Sequence, residues 1–183
     1  TSIVAICKAV DMISNVDVVV SFRTTHDTNG RYYGRGSNSL PLILVAYDSR
    51  VDKFAKVKRM FKYISPGGTT PEGLCFEAIL KDIVPTSNNR DSYFLNFSDG
   101  MPMFSNNDIN YNYGHAFKHT NKQVKEIRKM GVKVLSYFVA DGDYRRDEDA
   151  SNFKKMYGND AEYIDVNNVL QVAKTMNKKF LEK

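Results

Sequence analysis

Tryptophan is absent from this chain, and cysteine and proline are scarce, with two and five residues in 183. No apolar run approaches the ~18 residues needed to cross a bilayer, so neither a membrane-spanning helix nor a membrane partner is expected. Cys7 and Cys75 both stand in apolar stretches. That usage excludes a disulfide framework and predicts two buried thiols in a reducing, cytoplasmic setting. Thr1 opens onto mixed sequence without the pattern of a signal peptide, and a first residue other than Met leaves room for an upstream start. Catalytic signatures are missing too. The Gly67-Gly68 loop is not followed by Gly-Lys-Ser/Thr, so it is no phosphate-binding loop, and no convincing Ser/His/Asp or Cys/His set is present. There are no internal repeats and no low-complexity tract. The length suits one domain, 1–183, with a sizeable core, and the chemistry reads as non-enzymatic.

The net charge is +5. Lysines gather in the stretches Lys53 to Lys62, Lys118 to Lys133 and Lys174 to Lys183, interleaved with apolar residues at helical spacing. That pattern describes solvated helix faces. Lys predominates over Arg and no aromatic platform is interleaved, so nucleic acid is not the expected partner.

Hydrophobic periodicity orders the elements. Ile3, Ile6, Val10 and Ile13 predict a helix over 2–14. Val16 to Phe22 and Pro41 to Tyr47 read as strands of a hairpin with a long polar tip over 25–40. Phe54, Val57, Phe61 and Ile64 mark a basic amphipathic helix. Ser65 to Gly73 is a Gly-rich loop, Leu74 to Val84 a helix, Tyr93 to Phe97 a strand, and 101–114 an Asn-rich loop. Phe117 to Met130 is a helix stopped by Gly131. Val132 to Ala140 is a strand, a short helix ends near Tyr157, Tyr163 to Val166 is a strand, and Val169, Val172, Met176 and Phe180 predict a last helix. Strands alternating with helices give an α/β fold with a mostly parallel sheet, whose ligands sit at the carboxyl ends of strands.

Two loops meet that condition. Gly67-Gly68-Thr69-Thr70-Pro71-Glu72-Gly73 opens a helix, and Phe97-Ser98-Asp99-Gly100 ends a strand. Hydroxyl and carboxylate oxygens on such loops suit Mg2+, which takes hard oxygen ligands and keeps several waters. The plainer roles are a helix N-cap at Thr70 with Pro71 in the first turn, and a simple turn at Asp99-Gly100. Ser98 reads as a supporting hydrogen bonder. His115 and His119, at i and i+4, lack the glutamate of a zinc motif, since Ala116 follows His115, and read as an exposed helix face. Asp141, Asp143, Asp147, Glu148 and Asp149 lack calcium-loop spacing and read as a solvated loop, with Asp141 near enough in sequence to the strand end to rim a metal site. Tyr32, Tyr33, Tyr111 and Tyr113 suit either a recognition surface or packing over the sheet edge.

Those two loops, with Gly131-Val132-Lys133-Val134-Leu135 and the order of elements, resemble a von Willebrand factor A domain over nearly the whole chain. Thr-Pro-x-Gly together with Ser-Asp-Gly-x-Pro is most similar to the intracellular branch that includes cobaltochelatase CobT-like subunits. The resemblance implies a Rossmann-like three-layer α/β/α sandwich whose mostly parallel sheet has one antiparallel edge strand. It implies Mg2+ (or Mn2+) at a metal-ion-dependent adhesion site, with Asp99 and either Thr70 or Thr69 as ligands. Spacing to Gly73 favours Thr70 in the commoner family pattern; the longer integrin-like spacing favours Thr69. It further implies a protein partner supplying a carboxylate to the metal, within an assembly such as an AAA+ ATPase complex. The family's Asp-x-Ser-x-Ser loop is absent, as is its first, central strand. The resemblance thus implies the C-terminal part of a longer polypeptide and a mid-sheet gap of unpaired backbone groups. Two other functions fit the same resemblance: a chelatase subunit assisting metal insertion into a tetrapyrrole, and a structural or virion-associated protein with a degenerate metal site.

Overall fold

β-Branched and aromatic residues build the first two strands of the computed structural model, which describes residues 15–27, 39–64, 68–140, 146–158 and 161–165, with Val4, Cys7, Lys8, Asp11 and Met12 singly. Strands β1 (Val19–Asp27) and β2 (Ser39–Asp48) pair antiparallel, with Phe22 opposite Leu44 and a bulge between Val20 and Ser21. Both run further into the polar tip than the apolar pattern indicated. Thr24 and Thr25 are β-branched, and a half-buried ladder accepts them as readily as Val. Helix α1 (Phe54–Met60) follows and closes in a 3-10 turn over Phe61–Tyr63.

Helix α2 (Glu72–Ile79) begins two residues before the apolar pattern indicated and ends in a 3-10 turn, Leu80–Asp82. Strand β3 (Tyr93–Ser98) leads into a region read as loop, which contains a small antiparallel pair, β4 (Phe104–Ser105) and β5 (Asn110–Tyr111). Helix α3 (Tyr113–Lys129), strand β6 (Lys133–Ala140), helix α4 (Arg146–Tyr157) and strand β7 (Glu162–Asp165) complete the described order. The helices predicted over 2–14 and around Val169 to Phe180 lie largely or wholly outside the described residues, as do Asp141 and Asp143.

β3, β6 and β7 form a parallel sheet in the order β3-β6-β7, with Leu95 opposite Leu135 and Phe138 opposite Tyr163. The fold is therefore mixed α/β with a parallel sheet. The expected sheet was mostly parallel with a gap at its absent first, central strand. Among the described residues the hairpin β1-β2 is a separate sheet, with no backbone ladder joining β1 to β3. The two sheets are joined by side chains: the Arg23 guanidinium on β1 donates to the Phe97 carbonyl on β3 at 3.3 Å.

The main core lies where α2, α3 and α4 cover one face of the parallel sheet. Phe76, Val124, Ile127, Val134, Phe138, Phe153, Met156 and Tyr157 pack there, with Phe153 and Tyr157 rings 4.6 Å apart. Leu135 and Tyr137 pack with Tyr93 and Phe97 as a second cluster. Helix α3 stops as expected: Gly131 takes φ +75°, and its amide returns to the Arg128 carbonyl at 2.9 Å. A Cβ there would stand 3.1 Å from the Thr86 Cβ. Gly131→Ala should therefore cost about 1–2 kcal/mol, and Phe153→Ala about 3–5 kcal/mol. Urea denaturation measures both, and a Gly131→Ala protein as stable as wild type would show that the left-handed stop is not needed.

Candidate functional site

The loop before α2 is fixed from both sides. Gly68 has φ +77°, and a Cβ on it would lie 2.3 Å from the Thr25 Oγ1, so only glycine lets this loop close on β1. The Thr69 amide then donates to Thr25 Oγ1 at 3.0 Å. The Thr70 carbonyl accepts the amides of Glu72 at 2.9 Å and Met103 at 3.0 Å. Pro71, not Thr70, holds the cap position of α2, and no side chain caps the helix. The N-cap role read for Thr70 is thus corrected: Pro71 occupies the turn before the helix, which moves Thr70 one residue too far out. Both threonines are half-buried, and the Thr69 hydroxyl is buried with no partner among the described residues.

The second loop ends β3. Gly100 has φ +85° and lies against Phe138, where a Cβ would approach a ring carbon to 2.6 Å. The Gly100 amide donates to Ser98 Oγ at 3.1 Å, the supporting role read for that serine. Asp99 is left exposed at the tip of the turn.

Sequence reasoning missed what connects the two loops. Glu72 in the first turn of α2 is fully buried, at 0% exposure. Its carboxylate accepts a hydrogen bond from Arg23 Nη2, one from Asn96 Nδ2 at 3.2 Å and one from Ser98 Oγ at 3.3 Å. The Arg23 side chain is about one-fifth exposed and stacks over the Phe76 ring, 5.4 Å from its centroid. Burial is the largest influence and works to lower the Arg23 pKa, but the surrounding negative groups, Glu72 foremost and Asp99 least, together hold the guanidinium above its ordinary value. The Tyr157 hydroxyl beside this group is pushed well above the usual phenol range, first by burial and then by the Glu72 charge. Arg23 Nε and Asn96 Oδ1 remain buried without partners among the described residues. No spacing rule links Arg23 to Glu72, which lie 49 residues apart; the available signal was a glutamate inside an otherwise apolar first turn.

The histidines separate. His115 is exposed, as read, but His119 is not on an exposed face. Its Nδ1 meets the Tyr111 hydroxyl at 3.2 Å, and its Nε2 faces Gln123 at 3.0 Å and Glu77 at 3.4 Å. Tyr111 also bonds the Ala116 carbonyl and the Thr120 hydroxyl and is buried, so packing is its role. Tyr113 is exposed, while Tyr32 and Tyr33 lie outside the described residues. Asp147 to Asp149 are part of α4 rather than a loop. No group of three or more His, Cys, Asp or Glu side chains among the described residues is placed to hold a metal. Among the described residues, a cation at the two loops would use hydroxyls and the carboxylate of Asp99. On the hairpin, Leu40, Leu42 and Leu44 line one face of β2 and are all exposed.

No protein-family model and no curated protein matches this chain. A solved structure does: the pilus adhesin SpaC from Lactobacillus rhamnosus GG, in an open conformation, at a TM-score of 0.57 and 13% identity. The match covers 97% of this chain and 27% of that one, so the chain spans about a quarter of the adhesin's length. The likeness is one of fold.

Cys7 and Cys75 are both buried free thiols. Burial raises the Cys75 thiol to about 11 against the tempering effect of Arg23. Because the folded value is raised, the stability linked to this thiol is fully present below pH 9 and is lost as the pH rises through about 11. Cys75→Ala should therefore flatten the decline in melting temperature over that window. In the native protein at pH 8 Cys75 should resist a disulfide reagent that labels it in denaturant. Equal labelling in both states would contradict its burial.

Proposed function

We propose that this chain is a Mg2+-dependent protein-binding module in which Thr70, Thr69 and Asp99 face the ion. The observation that carries the reading is the coupling of the two loops. Glu72 and Ser98 meet at 3.3 Å, which ties the threonine loop just before one to the aspartate turn just after the other and supports a shared ion. The orphaned Thr69 hydroxyl is what an unfilled oxygen site would present. Mg2+ (or Mn2+) would supply an electron-poor centre that keeps water and accepts a further oxygen. The protein's part is to fix the threonine loop through Thr25 and Met103 and the aspartate turn through Ser98. With one carboxylate among the described residues, the site favours a partner that brings another. The exposed Leu40, Leu42 and Leu44 stripe gives the same partner an apolar surface to cover. In this reading the two sheets are halves of a three-layer α/β/α sandwich with room for a strand between β1 and β3, the chain is non-catalytic, and an AAA+ ATPase is a fitting partner. Buried free thiols suit a cytoplasmic setting. No helix among the described residues is long and apolar enough to cross a membrane.

Titrating the protein with Mg2+ while following amide resonances tests this reading. Shifts should begin at Thr69, Thr70 and Gly100. Asp99→Ala should weaken binding about tenfold or more, equivalent to about 1.4 kcal/mol, with the melting temperature unchanged. Identical titrations for wild type and Asp99→Ala would remove the metal site.

A further inference from the structure

Glu72 is too deeply buried to touch a cation at the loop edge, yet its carboxylate is the point on which Arg23, Asn96 and Ser98 converge. The Arg23 guanidinium lies at the end of β3 that carries Asp99: it donates to the Phe97 carbonyl, two residues before Asp99, at 3.3 Å. A guanidinium turned toward the Asp99 carboxylate would do what a divalent cation does, and would do it permanently, because arginine does not lose its proton. The turn would exchange the contact over the Phe76 ring for one with Asp99. Arg23 Nε has no partner among the described residues, and the hydrogen bonds that hold the head group, to Glu72 and the Phe97 carbonyl, both come from Nη2. The same Glu72 carboxylate accepts the Ser98 hydroxyl, whose oxygen holds the Gly100 amide and so the Asp99 turn.

We propose that Glu72 is a positioning residue that draws Arg23 away from Asp99 and keeps the Asp99 carboxylate available to a divalent cation. This rests on the reading of Thr69, Thr70 and Asp99 as a cation site. The carboxylate acts in two ways at once. It engages Arg23 Nη2 in an ion pair that Asn96 completes, and it fixes the turn through Ser98. Loss of the Glu72 charge with Arg23 retained would free the guanidinium to turn along the strand end toward Asp99. Loss of both charges would leave Asp99 free again.

The test compares wild type, E72Q, E72D and the E72Q/R23Q double variant. Mg2+ titrations followed at the Thr70 and Gly100 amides should show binding weakened about tenfold in E72Q, or about 1.4 kcal/mol. The double variant should return to within about threefold of wild type, since replacing both members of a buried pair is often neutral for the fold while removing one is not. E72D, which keeps the charge, should bind Mg2+ like wild type and serves if E72Q fails to fold. A second readout uses no metal. The Arg23 Nε–Hε resonance should respond several-fold more strongly to Asp99→Asn in the E72Q background than in wild type. Undiminished Mg2+ binding in E72Q, a double variant as weak as E72Q, or an E72D protein that loses Mg2+ would each overturn the proposal. If wild type binds no Mg2+ but the Arg23 resonance behaves as stated, the cation reading fails and the positioning of Arg23 stands. If wild type binds Mg2+ and the resonance ignores Asp99 in every background, the positioning fails alone.

Discussion

The buried ion pair between Arg23 and Glu72 joins parts of the molecule that backbone hydrogen bonding leaves apart. Arg23 belongs to the hairpin sheet, Glu72 to the start of α2, and Asn96 and Ser98 to the parallel sheet. Ladder hydrogen bonds normally carry that kind of connection. Here a guanidinium reaching the Phe97 carbonyl takes over a part of it. A buried pair is a poor source of net stability, because desolvation offsets most of the attraction. Its value is specificity: a carboxylate with three donors in fixed directions defines how helix, hairpin and sheet meet.

That arrangement also decides what the loop edge can do. Two half-buried threonines and one exposed aspartate are too few oxygens to hold Mg2+ tightly, and no cluster of acidic or imidazole side chains among the described residues adds to them. In the proposed reading, a weak, water-rich site opened to solvent would serve as a bridge to another protein's carboxylate. Keeping the single carboxylate uncompensated matters more in such a site than in one with many acids. In the proposed reading Arg23 is the competitor for Asp99, and Glu72 already holds it.

Much of the architecture was legible in the sequence because it follows local rules. The β-branched run after Val16 gave a strand, the spacing of apolar residues gave α3, and Gly131 marked its end through the one conformation that glycine adopts freely. The turn at Asp99-Gly100 and the loop at Thr69-Thr70 were readable for the same reason. The rest depended on partners distant in sequence. Asn96 sits in an otherwise apolar strand and reveals nothing until Glu72 is beside it. His119 resembled a surface residue until Tyr111 and Gln123 were folded against it. The start of α2 was missed because its first turn buries a glutamate and a glycine, where an apolar periodicity has nothing to count. The division into two sheets could not be read from strand patterns, which fix faces and not neighbours.

The most direct single measurement is paramagnetic broadening of amide resonances by substoichiometric Mn2+ on the native chain. Mn2+ takes the same oxygen ligands as Mg2+ and broadens nearby nuclei steeply with distance. The account predicts that Thr69, Thr70, Asp99 and Gly100 disappear first, with Ser98 and Glu72 following. Broadening centred on α4 around Glu148 and Asp149, or none above that of free Mn2+, would contradict it.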